Sequence, residues 1–346
     1  MPKRVFGLVL VLLLVVGLFC GCGTPAEKGK AGGEGEVEKT YTIRLSHVLP
    51  EEHPSHLASI EFKEYVEAES DGRIEVQLYP NAQLGSDRQA IEAVQVGTLE
   101  MTFPALSVVA GFDNSVMVFD LPFLFGDRES AYAALDGELG QRVADQVEAA
   151  TGMKIVGYLE NGFRNVTNNE NPVYEPADLA GKKIRTMENP IHMEIFRKLG
   201  ASPTPMAFGE LYTALRQRTV DAQENPIAII HSNKFNEVQK YLSLTGHVYA
   251  AAPFIINLDF FASLPADLQE VIVAGTEKAR DNQRLALQKE EQNMLNDLRD
   301  AGMEINELTE EQRLQFVEAT APVYEMFKEE IGAELVDLAL KIAKGA

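Results

Sequence analysis

One stretch limits the architectures open to this chain more than any other. From Pro265 to Ala301 the sequence holds a single glycine, Gly275, and no proline after its start, so it reads as one helix of about thirty-five residues. At about 1.5 Å per residue such a rod is longer than one small lobe is wide, and it serves best as a backbone shared by two lobes. A coiled-coil arm is the alternative, but Leu285, Leu287, Met294 and Leu298 keep no clean heptad. Ahead of the rod, strand and helix signals alternate. Tyr41–His47, Arg73–Tyr79, Thr98–Phe103 and Lys154–Tyr158 alternate like strands, while His56–Glu69, Ser86–Val96 and the region from Arg128 to Ala150 have helical spacing. Strands joined by helices predict a mostly parallel α/β sheet with right-handed crossovers.

The first thirty-nine residues read as an address and a tether. Lys3 and Arg4 precede an apolar run from Val5 to Phe19, too short to span a bilayer and laid out like a secretory signal. The run ends in Leu18-Phe-Cys-Gly-Cys22, which resembles the lipobox of bacterial lipoproteins, with Cys22 as the residue that would receive the lipid. That processing would leave no other cysteine, and hence no disulfide, in the mature chain. Residues 22–39, with Gly29, Gly32, Gly33 and Gly35 among charges, then form a flexible spacer.

About three hundred residues remain, enough for two lobes with a substantial core. The whole chain carries −21, which argues against nucleic acid and anionic lipid surfaces as partners. A small anionic ligand would have to be held by a few local cations against that global field. Arg185 is placed for such work. Lys183-Ile-Arg-Thr-Met reads as a short strand and Asn189-Pro190 as the start of a helix over Ile191–Leu199, so Arg185 leaves a sheet at a strand's carboxyl end. Its planar fork suits a carboxylate, although an arginine taken alone reads more readily as a surface ion pair. Gly200–Pro205 reads as a turn-rich connection, Phe208–Gln217 as an amphipathic helix, Thr219–Pro226 as a short strand and a corner, and Pro253–Ala262 as a buried strand.

The stretch from Gly200 through Pro205-Met-Ala-Phe208 to Leu215, then Val220-Asp-Ala-Gln-Glu-Asn-Pro226 and Phe235–Lys240, resembles the solute-binding proteins of TRAP transporters, the DctP family. The resemblance runs from about Thr40 to near the C-terminus and implies two α/β lobes, of the periplasmic-binding-protein kind, closing on an organic acid. It also implies delivery to membrane permease subunits that run on an ion gradient. It lays the family's carboxylate-binding arginine on Arg185, its second arginine on Arg164, its ring-packing aromatic on Phe208 and its hydrogen-bonding asparagine on Asn225. The loop after strand one falls on His47, and the Gly-x-Asp-Arg turn on Gly85, Asp87 and Arg88. Ala222 stands where a glycine is usual. Each has a plainer reading: core packing for Phe208, a helix cap for Asn225, a satisfied loop histidine for His47. The lobes expected are 40–161 with 251–290, and 162–250 with 291–346.

Glu188, three residues after Arg185, would accept hydrogen bonds from sugar hydroxyls and repel a second carboxylate. A uronate or aldonate is therefore expected ahead of a C4-dicarboxylate, and the resemblance implies that sialic acid is disfavoured, since Pro104-Ala-Leu106 lacks a polar side chain that some sialic-acid-binding members of the family place there. An enzyme is not expected: there is no Gly-x-Ser-x-Gly elbow, no Gly-x-Gly-x-x-Gly after a strand and no His-Glu-x-x-His. Nor is a cofactor or metal, since Pro54 breaks any helical face shared by His47, His53 and His56. A sensor ectodomain serving a membrane kinase would present the same pocket and is the alternative from another class.

Overall fold

A computed structural model describes residues 39–345; the expected signal segment, Cys22 and the spacer up to Glu38 lie outside the described residues. The strands are β1 (Tyr41–Ser46), β2 (Ile74–Tyr79), β3 (Met101–Thr102), β4 (Met153–Asn168), β5 (Lys183–Thr186), β6 (Ser202–Pro205), β7 (Ala222–Pro226), β8 (Tyr241–Leu244), β9 (Tyr249–Asn257) and β10 (Glu304–Glu307). They lie in the order β2-β1-β3-β9-β4-β7-β5-β6, with β8 bridging β4 and β10. Parallel pairing holds at β1 with β2 and β3, at β5 with β6 and β7, and at β8 with β10. The expectation of a mostly parallel sheet fails in the middle. There β9 runs antiparallel to β3 and β4, and β4 antiparallel to β7 and β8, because these two strands pass between the halves without a crossover helix.

Strand β4 makes that passage. Its residues up to Phe163 pair with β9, and from Arg164 onward they pair with β7 and, from Val166, with β8. The switch, between Phe163 and Arg164, comes just after a register shift between Glu160 and Gly162, where Gly162 takes φ +110, a conformation that a side chain would strain. Arg164 is thus the first residue past the bend, facing the cleft between the two halves. The strand read at Lys154–Tyr158 is in fact 16 residues long.

The rod is a single helix, Ala266–Asp300, of 35 residues. Its amino-terminal half lies on the helix Pro54–Glu69, with Gly275 so close that a Cβ there would stand 2.9 Å from Val66 Cγ2. Further along, Gln283 Nε2 donates to Glu160 O at 2.6 Å and Arg284 Nη2 to Tyr158 O at 2.9 Å, both on β4. Near its end His231 Nε2, on the helix Ile227–Ser232, lies 3.1 Å from Asp297 Oδ2. The helix therefore spans both halves as a shared spine.

Other expectations are corrected. Thr98–Phe103 shrinks to the two residues of β3. The single helix expected over Arg128–Ala150 is two, Arg128–Asp136 and Glu138–Thr151, broken at Gly137, where a Cβ would meet Ala133 O at 2.4 Å. Ser202–Pro205 is not a turn but an edge strand, the one place where Pro203 and Pro205 can sit in a sheet without wasting ladder hydrogen bonds. The buried strand begins at Tyr249 and stops at Asn257, whose side chain caps the helix Leu258–Ser263. The three closing helices, Glu310–Thr320, Pro322–Ile331 and Ala333–Ala343, bury Phe316, Val323 and Leu335 in a core shared with the helices Arg128–Asp136 and Pro190–Lys198. Among the described residues no helix is long and apolar enough to cross a membrane.

Candidate functional site

Between the two halves lies a cleft of about 620 Å³, counting the space open to solvent, with polar side chains from Asp87, Arg88, Asn161, Arg164, Arg185, Glu188 and Asn225. The remainder of its wall is largely apolar, including Leu49, Phe103, Met187, Met206, Phe208 and Ile229.

Arg185 sits near the end of β5, and the chain turns at once into the helix Pro190–Lys198, whose cap Asn189 accepts from His192 N at 3.1 Å. The guanidinium is 2 % exposed. Its Nε and Nη2 both donate to Met206 O, at 3.0 and 2.7 Å, and its Cζ lies 5.9 Å from the centre of the Phe208 ring. Its Nη1 is buried and has no hydrogen-bond partner among the described residues. Burial pulls the group down to about 10, with Arg164 adding repulsion and Glu224, Asp87 and Glu188 opposing the fall. A buried cation with one unspent donor, anchored through the other side of its fork, is set up to take an anionic oxygen.

Arg164 is committed elsewhere. Its Nε and Nη2 grip the Glu224 carboxylate at 2.5 and 2.9 Å, and Nη2 also reaches Glu224 O at 2.6 Å and Asn225 Oδ1 at 3.1 Å. Burial pushes the Glu224 carboxyl up, but Arg164, His192 and His247 together outweigh it and hold it well below the usual carboxylate range. Asn225 in turn donates to Gln223 Oε1 at 2.5 Å. Arg164 and Asn225 thus reach the cavity as parts of a pre-set network rather than as loose side chains.

Across the cleft, Ser86 caps the helix Asp87–Gln95 with a full capping box, which turns Asp87 toward the cavity. Part of Asp87 reaches solvent, yet its carboxyl is densely surrounded by protein, and burial raises it to about 7 against the pull of the Ala105 amide and Arg185. Glu188 is exposed at the rim, and Phe208 is half-buried at the start of its helix.

The structure therefore brings six of the residues named from sequence, Arg185, Arg164, Asn225, Phe208, Glu188 and Asp87, to one cavity. His47 is not among its lining. It lies behind Val48 and Leu49, 1 % exposed, with Nε2 3.0 Å from His56 Nδ1 and its ring stacked on Phe103 at 4.4 Å. Burial and the neighbouring His56 and His53 push it down to about 3, so it is a neutral, satisfied core histidine. Sequence reading missed Asn161, a residue from the β4 bend, and the buried acid Glu224 as the organiser of Arg164. The spacing of Gln223-Glu-Asn-Pro226 was the available signal for the latter. Among the described residues no group of three or more His, Cys, Asp or Glu is disposed to hold a metal ion.

Comparison with known proteins agrees with this geometry. Residues 45–330 match the family described as bacterial extracellular solute-binding protein, family 7, DctP. The 2,3-diketo-L-gulonate-binding periplasmic protein YiaO of Escherichia coli is 35% identical over 298 residues, covering 85% of this chain and 90% of that one. The sugar acid binding protein DctPAm of Advenella mimigardefordensis, solved in complex with galactonate, superposes with a TM-score of 0.86 at 37% identity, over 89% of this chain and 99% of that one. A TRAP periplasmic solute binding protein of Sulfurospirillum deleyianum with bound succinate gives a TM-score of 0.83 at 30% identity, over 88% and 99%.

Proposed function

The chain belongs to the DctP family, the bacterial extracellular solute-binding proteins of TRAP type, and from that premise we propose that it captures an organic acid in the cleft between its lobes and hands it to membrane permease subunits. The family and its solved relatives are solute-binding proteins, not enzymes. The observation that carries the reading is the unpartnered Nη1 of a buried Arg185 that lines the cleft together with Arg164, Asn225 and Asp87.

The acid we favour is a polyhydroxylated monocarboxylate, an aldonate or uronate. One free guanidinium edge would receive its carboxylate, while Asp87, Glu188, Asn161 and Asn225 line the same space and would receive hydroxyls. A second carboxylate would meet Asp87 and Glu188 instead. The galactonate-bound and diketogulonate-binding relatives support this choice. The alternative, a C4-dicarboxylate, draws on Arg88 as a second cation in the lining and on the succinate-bound relative. Thermal shift and calorimetry with galactonate, gluconate, glucuronate, galacturonate, succinate and malate decide between them: stabilisation by the two dicarboxylates alone reverses the order.

We take 40–161 with 251–290 as one lobe and 162–250 with 291–346 as the other. A ligand touching both favours the closed state over the open one by its differential contacts. Lipid on Cys22 would hold the protein at the outer face of the cytoplasmic membrane. Permease genes beside this one favour uptake, whereas an adjacent histidine kinase gene would favour the sensor.

A further inference from the structure

Behind the wall that carries Arg185, the strand-to-helix corner is stitched to the opposite wall by buried charges. Asn189 Nδ2 donates to Ser107 O at 2.9 Å and to Asp120 Oδ2 at 2.8 Å. Asp120 Oδ1 accepts from the Ser107 hydroxyl at 2.5 Å and lies 3.0 Å from His192 Nε2. The other ring nitrogen, His192 Nδ1, is buried with no hydrogen-bond partner among the described residues and stands 3.7 Å from Glu224 Oε1, an ion-pair distance rather than a hydrogen bond; Glu224 is the carboxylate that grips Arg164. His192, Asn189 and Glu224 are 0 % exposed and Asp120 is 3 % exposed.

A neutral imidazole donates from one nitrogen only, so an acid at each nitrogen calls for the imidazolium. Burial works against that charge, but Asp120 and Glu224 outweigh it and raise His192 above its ordinary value. The Ser107 hydroxyl, 3.5 Å away, faces the ring too, and His247 reaches Glu224 from the far side with Nε2 at 3.1 Å. Burial lowers His247, which leaves it a neutral donor. With His192 protonated, the charges alternate along one buried line: Arg164 positive, Glu224 negative, His192 positive, Asp120 negative. Its Arg164 end lines the cavity beside Asn225, while Ala105 and Val108, either side of Ser107, line the facing wall.

We propose that His192 is a positioning residue for the cavity: bridging Asp120 and Glu224, it fixes Arg164 and Asn225 against the facing wall at Ala105 and Val108. Only its consequence for affinity rests on the cavity being the ligand site. Without the bridge, Glu224 keeps Arg164 and His247 but loses its electrostatic tie to the facing wall, so the Arg164 guanidinium gains freedom and the two walls lose their common reference.

The test uses the full-length chain with His192→Gln, which keeps a donor but cannot carry the charge, and Asp120→Asn, which keeps the shape of the other end. Nitrogen-15 NMR follows solvent exchange of the Arg164 Nε proton, assigned with Arg164→Lys, and calorimetry follows D-galactonate. Both variants are expected to speed that exchange at least tenfold and to weaken galactonate binding at least tenfold. Gly275→Ala, which perturbs only helix packing at the spine, leaves both within twofold. Unchanged Arg164 exchange in either folded variant overturns the proposal. A wild-type chain that binds no sugar acid overturns the substrate reading instead, and the exchange measurement still decides the role of His192.

Discussion

Truncating Arg185 to alanine separates binding from folding. If a ligand carboxylate pairs with Nη1, removing one member of a buried, hydrogen-bonded charge pair costs about 2–5 kcal/mol of affinity, or roughly 30-fold to 5,000-fold in Kd. Stability should respond quite differently. Burial pulls the guanidinium from its ordinary value down to about 10. At about 1.4 kcal/mol per pKa unit, holding the charge there costs the folded state about 3 kcal/mol. Because a base whose folded value is depressed is disfavoured wherever it is charged, this cost is present at every pH below 10 and disappears with the side chain. Against that, Met206 O loses both donors from Arg185, a loss of about 1–3 kcal/mol for a buried acceptor. The two nearly cancel. The unliganded Arg185→Ala protein should melt within a few degrees of wild type, while the ligand-induced rise in melting temperature vanishes. Arg185→Lys, which keeps the charge without the fork, should fall between. Calorimetry and thermal melting with and without galactonate check both halves. Affinity within threefold of wild type would refute the clamp, and collapse of the unliganded protein would make Arg185 a structural strut.

The other expectations follow from the same cavity and from the spine. With Asp87 raised to about 7, an anion bound beside it and occupying Arg185 should raise it further. Binding then takes up a proton, so affinity is highest below pH 7 and falls above it by up to about tenfold per unit; Asp87→Asn flattens the profile, and a flat wild-type profile from pH 5.5 to 9 counts against the idea. Glu188→Gln, at an exposed position, should improve succinate relative to galactonate by a few-fold, about 1 kcal/mol at most, in paired calorimetric titrations. Gly275→Ala puts a Cβ 2.9 Å from Val66 Cγ2 and 3.1 Å from Tyr65 Cδ1. Overpacking of about 1–3 kcal/mol against about 1 kcal/mol of helix propensity should lower the melting temperature by a few degrees with Kd unchanged. Cys22→Ser should move the protein from the membrane fraction to the soluble fraction in cell fractionation.

Elements governed by local chemistry were legible in the sequence. The Asn189-Pro190 start, the Ser86 cap and the proline-free rod from Pro265 rest on residues within a few positions of one another, and all three are found in the structure. Where pairing is distant, the sequence was mute. The second half of β4 gives no strand pattern because Asn165, Thr167 and Asn168 are polar, yet they are buried and satisfied by partners such as Gln239 and Asn171, some of them far along the chain. Two prolines disguised β6 as a turn, although an edge strand tolerates them. The resemblance put His47, in the loop after β1, at the ligand; in the structure its neighbours Val48 and Leu49 line the cavity, while His47 faces inward against His56 and Phe103. The bridge from His192 to Asp120 joins residues 72 apart and leaves no local pattern at all.

The charge of the chain and its site fit together only when paired and unpaired groups are told apart. A protein at −21 repels small anions at long range, so selection for one must come from inside the cleft. There Arg164 and Glu224 neutralise each other, and their pairing contributes shape rather than attraction. Arg185 differs: its fork is spent on a carbonyl, not on a carboxylate, so the charge itself stays uncompensated by direct contact. An incoming carboxylate removes that deficit, and the relief is available only where both walls of the cleft surround it and exclude water. Closure and capture are then the same event energetically. The register shift and positive φ at Gly162 lie on β4 just ahead of the switch of partners at Arg164, between two residues that line the cavity, Asn161 and Arg164.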